Sequence, residues 1–112
     1  MFNIVTEKEG TAGAVLIRAL EPKHGIGLMK KYRKTEDIIQ LSNGPGKLTR
    51  ALGIDRTHNR ADLAGDELYV AHGPAKKHVI ARGSRIGIKQ GLEKKWRFWI
   101  KGNGFVSVKN KK

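Results

Sequence analysis

Residues 44–53, GPGKLTRALG, leave this chain little local choice. Pro45 suits the first helical position, where a missing N–H costs nothing and a fixed φ is already helical. Leu48, Ala51 and Leu52 form an i, i+3, i+4 stripe, and Gly53 suits the left-handed residue that stops a helix. A helix this short holds only when its stripe is packed against something else, so the flanking sequence has to supply the cover. TAGAVLIRAL (11–20) has the Val, Leu and Ile density of a buried strand, closed by Glu21 and Pro22. GIGLMKKYRKTEDIIQL predicts a helix around 27–34, with Leu28, Met29 and Tyr32 on one face, and a second short turn or helix near 36–41.

Beyond the central helix, DRTHNRADLAGDE (55–67) reads as polar connecting chain with one helical turn at ADLAG. Strands are expected at ELYVA (67–71), at VIARGSRIGI (79–88) with a kink at Gly83–Ser84, and on both sides of the GNG turn in WRFWIKGNGFVSVK (96–109). In the last of these, Trp96, Phe98 and Ile100 alternate with Arg97, Trp99 and Lys101, which favours core packing for the aromatic residues over a role as stacking platforms. The tail KNKK is expected to fray. Helices in the first half, with strands at the start and in the second half, imply an α+β fold with short helices around an antiparallel sheet.

A chain of 112 residues supports one domain with one modest core. Its 23 Lys and Arg against 10 Asp and Glu give a net charge of +13, which draws it to polyanions by counterion release. Nucleic acid is the leading partner. No apolar run approaches the length of a spanning helix, so a membrane is not an expected partner. With no cysteine, disulfides, thiolate nucleophiles and cysteine-based metal sites are excluded. His24, His58, His72 and His78 are scattered without metal-ligand spacing and read as surface residues, so no metal or cofactor is expected. The start, MFNIVTEKEG, has too short an apolar stretch for a secretory leader, and the chain reads as intracellular.

The stretch SNGPGKLTRALGI places two glycines and Lys47 at a helix start, the composition of a phosphate cradle. The nucleotide P-loop is not matched, because it requires Gly at 41 and Ser or Thr at 48, where this chain has Leu41 and Leu48. A lysine in the first helical turn opposes the helix dipole by a few tenths of a kcal/mol. Two readings stay open: a phosphate at the helix mouth, or a plain surface lysine beside a turn. Arg18 is the other oddity. Inside an apolar strand it needs a carboxylate, carbonyls or a polar site, and a structural salt bridge answers that need as well as a functional site does.

Taken together, AVLIRALEP (14–22), NGPGKLTRALGI (43–54), the DL and DE of ADLAGDELYV, SRIGI (84–88) and WRFWIKGNGFVSV (96–108) resemble, in order and spacing, the alkyladenine (3-methyladenine) DNA glycosylase family of base-excision repair. The resemblance implies a monofunctional glycosylase acting on double-stranded DNA with a damaged purine. Such an enzyme flips the base from the stack and hydrolyses its N-glycosidic bond with an activated water. By the same resemblance Arg18 and the carbonyl of Ile86 hold that water, Asn3 discriminates purines, Leu16 lies on the pocket wall, and Lys47, Arg85 and Gly87 meet the DNA backbone or groove. The family's general-base glutamate, base-sandwiching aromatics and intercalating tyrosine all precede the segment that matches Asn3. The resemblance therefore makes residues 1–112 an incomplete single domain, the C-terminal half or more of the family's, in a truncated form inactive alone. A missing N-terminal half is then a further partner. The contrasting reading is a small basic nucleic-acid-binding module without catalysis.

Overall fold

The computed structural model describes residues 1–73 and 76–107. They fall into two compact units, Met1–Tyr69 joined by the chain from Phe105, and Val70–Gly104. The class is α+β, with the antiparallel pairing supplied by two two-stranded sheets.

The first unit opens with a hairpin of β1 (Asn3–Val5) and β2 (Ala14–Leu16), in the register Asn3↔Leu16, Ile4↔Val15 and Val5↔Ala14. Backbone bonds from Thr6 N to Gly13 O (3.1 Å) and from Ile17 N to Phe2 O (3.0 Å) extend the pairing at both ends. The long buried strand expected over 11–20 is thus three residues, and Ala14 and Val15 are exposed. With one neighbour in its sheet, β2 has one edge unpaired, and its apolar composition alone cannot bury it.

Helix α1 (Ile26–Arg33) follows, close to the expected span. Lys30, Lys31 and Arg33 lie in its last turn, where they complement the negative end of the dipole. Of its expected stripe only Met29 is half-buried, while Leu28 and Tyr32 are exposed. A 3₁₀ turn at Ile38–Gln40 leads to α2 (Pro45–Leu52), which begins at Pro45 as its sequence requires. Gly53 closes it at φ +66°, a conformation that L side chains rarely adopt, with its N–H bonded to Arg50 O at 3.2 Å. α1 and α2 pack against each other.

The core is small: Leu41 and Leu48 are fully buried and Ala51 nearly so. Leu52, expected on the buried stripe, is 39% exposed. Beside the core, Ser42 is buried and satisfied, its Oγ donating to Leu20 O (2.6 Å) while Leu20 N donates to Ser42 O (3.0 Å). Arg33 ties down the turn before α2, its Nε donating to Leu41 O (3.0 Å) and its Nη2 to Gln40 O (2.9 Å). No strand forms at 67–71, where Tyr69 makes only an isolated antiparallel bridge to Ala64. ADLAG is not a helical turn either, because Asp62 Oδ1 takes the Ala64 N–H at 2.9 Å.

The second unit is built on β3 (Ile80–Gly83) and β4 (Arg97–Ile100), paired Ile80↔Ile100, Ala81↔Trp99, Arg82↔Phe98 and Gly83↔Arg97. The expected kink at Gly83–Ser84 is where β3 ends. There Ser84 turns away from the ladder, donating its Oγ to Leu92 O (2.7 Å) and accepting Arg97 Nε on its carbonyl (2.8 Å). The second strand expected after GNG does not form among the described residues up to Ser107, and the KNKK tail lies outside them.

Candidate functional site

Asn3 and Leu16 are register partners, so the β1–β2 hairpin places them side by side on one face of the pair. Asn3 is exposed and Leu16 half-buried. Asn3 also lines an open groove of about 820 Å³, walled by the first five residues and by the 54–63 segment with Leu68. Arg18 lies beyond the end of β2, half-buried, not inside an apolar strand. Its Nε donates to Ser107 Oγ at 3.4 Å, near the outer limit of a hydrogen bond. That position removes the argument from a fully buried charge, since a partly solvated guanidinium needs no carboxylate to offset its desolvation.

A second polar cluster sits on the same groove. Asp55 caps the 3₁₀ turn Arg56–His58, its Oδ1 accepting from Thr57 N (2.9 Å) and Thr57 Oγ1 (2.6 Å). The Thr57 hydroxyl, then the Thr57 backbone N–H and the neighbouring His58, hold the Asp55 carboxyl below its ordinary value near 3.8. His58 closes a capping box: its Nδ1 accepts the Asp55 N–H (3.1 Å) and its Nε2 faces Glu67 Oε1 (3.2 Å). With its side chain only 19% exposed, His58 is not the surface residue that its isolation in the sequence suggests. The Asp-x-x-His spacing before a turn was the signal that could have found it. Among the described residues no three His, Cys, Asp or Glu side chains are placed to hold a metal ion.

Lys47 stands in the first turn of α2, behind Gly44, which offers no side-chain cap. Its Nζ donates to Gln40 Oε1 (2.8 Å) and Asn43 Oδ1 (3.1 Å), two neutral oxygens that offset its unfavourable place on the dipole. A lysine here therefore has a structural account that requires no anion. Lys47 also borders a shallow groove of about 590 Å³ together with Arg33 and Arg50, a concentration of positive charge relieved only by Asp55.

Arg85, Ile86 and Gly87 belong to the second unit, in the chain after β3. Gly87 adopts φ +77°. Ile86 is half-buried, and the exposed Arg85 places its guanidinium 5.4 Å from the centre of the Trp96 ring. The candidate residues thus divide between the two units, with Asn3, Leu16, Arg18 and Lys47 in the first and Arg85, Ile86 and Gly87 in the second.

Residues 1–104 match the methylpurine-DNA glycosylase family. Relatives bearing the name "Putative 3-methyladenine DNA glycosylase" include a protein of Salinibacter ruber, 45% identical over 96% of this chain and 52% of its own length. One of Prosthecochloris aestuarii is 49% identical over the same shares. One of Desulfitobacterium hafniense is 44% identical over 96% of this chain and 59% of its own length. The chain spans about half the length of the relatives it matches.

Proposed function

The chain belongs to the methylpurine-DNA glycosylase family, and on that premise we propose that it carries the DNA contacts and part of the base pocket of a glycosylase for alkylated purines. The observation that carries this reading is the register pairing of Asn3, which lines an open groove, with the half-buried Leu16, which puts an amide beside an apolar side chain as a flipped base requires. In the reaction, water oxygen attacks C1′ of the damaged nucleotide and the N-glycosidic bond breaks, its electron pair leaving with the purine. A base takes the proton from the water. Arg18 donates a hydrogen bond to that water. Lys47, Arg85 and Gly87 meet the backbone of damaged double-stranded DNA and position it without reading sequence.

No carboxylate of this chain matches the family's general base. Asp55 is a poor substitute, because hydrogen bonds that favour its ionised form also make it a weaker base. The catalytic unit is accordingly this chain together with the N-terminal half of such a domain, which supplies the glutamate and the aromatic sandwich. General-base assistance contributes roughly 10²–10⁴ in rate. A single-turnover assay on duplex containing hypoxanthine or ethenoadenine tests the proposal: no base release by this chain alone, and release once the first half of the Salinibacter ruber relative is added. Base release by the chain alone would overturn the division of labour. Duplex binding without release in either mixture would favour the non-catalytic nucleic-acid-binding module, which the charge of +13 also suits.

A further inference from the structure

The positive charge is not spread evenly along the chain. Residues 70–104, the second unit, hold nine of the 23 basic residues and only Glu93 of the ten acidic ones, a net +8 of the total +13. Within that unit the β3–β4 register sorts side chains by face, since residues opposite each other share a side. Ala81, Gly83, Arg97 and Trp99 lie on one face and are all partly covered, with the Arg97 guanidinium 4.3 Å from the centre of the Trp99 ring. The other face carries Ile80, Ile100, Arg82 and Phe98, and Trp96 lies just before β4 in phase with Phe98. Apart from the half-buried Ile100 it is open: Ile80 is 55%, Trp96 55% and Phe98 58% exposed. Cations stand over both rings, Arg82 at 5.4 Å from the Phe98 centre, Arg85 at 5.4 Å and Lys94 at 4.6 Å from that of Trp96.

We infer that this face binds single-stranded nucleic acid, two neighbouring bases stacking on Trp96 and Phe98 while Arg82, Arg85 and Lys94 meet the phosphates. An apolar protein surface laid on the same face would strip water from three cations without supplying a counter-charge, which is costly, whereas a polyanion neutralises them and releases counterions. The spacing favours a single strand over a duplex. Residues two apart on a strand are separated by about 6.7 Å, roughly twice the 3.4 Å advance per nucleotide of a stacked strand. Bases occupying both rings must therefore part from each other, as unpaired bases can and paired ones cannot without melting. This site goes beyond the duplex contacts proposed above, and it needs no chemistry.

The test uses the full chain and a labelled oligothymidylate of about a dozen nucleotides, with a duplex of the same length alongside. Stacking on Trp96 quenches tryptophan emission in the wild type, and Trp96→Phe removes most of that quench while retaining binding. Phe98→Ala is expected to weaken binding roughly 5- to 150-fold with the salt slope unchanged, since aromatic stacking carries no counterion release. Phe98→Tyr retains affinity, whereas Phe98→Leu, which keeps the apolar volume, loses it. Arg82→Ala reduces the magnitude of the salt slope by about 0.7. Absence of quenching, equal quenching by the duplex, or wild-type affinity in Phe98→Leu would each overturn the inference. So would a dimer that persists in saturating oligonucleotide, because a second copy would then cover the face. Base release is read separately, so either proposal can fail while the other stands.

Discussion

At the scale of single residues, the side chains with the most chemistry are held by local bonds that also dull them. Lys47 spends two of its three ammonium protons on Gln40 and Asn43. If it nevertheless meets a DNA phosphate, Lys47→Ala should weaken duplex binding equally at every sequence. It should also reduce the magnitude of d log K/d log[salt] by about 0.9 between ~50 and ~200 mM salt, with Lys112→Ala as the peripheral control. Equal slopes in the two variants would leave Lys47 as the brace of the turn before α2. Asp55 gives the pH prediction. Its carboxyl is held below its ordinary value near 3.8, chiefly by the Thr57 hydroxyl. A depressed carboxyl contributes its stabilisation fully above the ordinary value, and that contribution is lost as the pH falls through the lower folded value. Thr57→Val should therefore move the Asp55 titration back up toward 3.8, followed by carboxyl-carbon NMR. An unchanged titration would mean that the backbone N–H of Thr57 and His58 suffice.

At the scale of elements, α2 was legible residue by residue, because its start and stop are properties of Pro45 and Gly53 themselves and need no partner. The strands were legible only as tendencies. β3 and β4 form where Ile80 and the Trp-Arg-Phe-Trp-Ile run lie, yet the expected core face, Trp96 and Phe98, is the exposed one. Alternation says that two faces differ without saying which one is covered. Packing between α1 and α2 depends on very few side chains, and Leu48 is the one fully buried residue on either helix. Leu48→Ala is expected to cost about 2–5 kcal/mol, a large part of the stability of any small domain. A urea titration should show the midpoint fall steeply, with the α2 amides losing protection from hydrogen exchange. A shift within experimental scatter would mean that α2 is held by its caps instead.

For the whole molecule, the three buried core residues Leu41, Leu48 and Ala51 stand against sixteen exposed large hydrophobic ones among the described residues. That ratio fits a chain that spans about half the length of its relatives. No helix among the described residues is long and apolar enough to cross a membrane. The sequence by itself determined the family, the α+β class, the position and limits of α2, and the net charge of +13, because each is written in local order or simple sums of residues. It also marked Arg18 and Lys47 as residues needing partners. Only the tertiary structure decided who those partners are: Ser107 for Arg18, 89 positions away, and Gln40 and Asn43 for Lys47. It also placed Leu41, outside any helix or strand, in the core with Ser42 buried beside it, joined His58 to Asp55 and Glu67, and left the Trp96–Phe98 face open. Burial and pairing are settled by which distant segments arrive on each side of a residue, and a local pattern carries no information about their arrival.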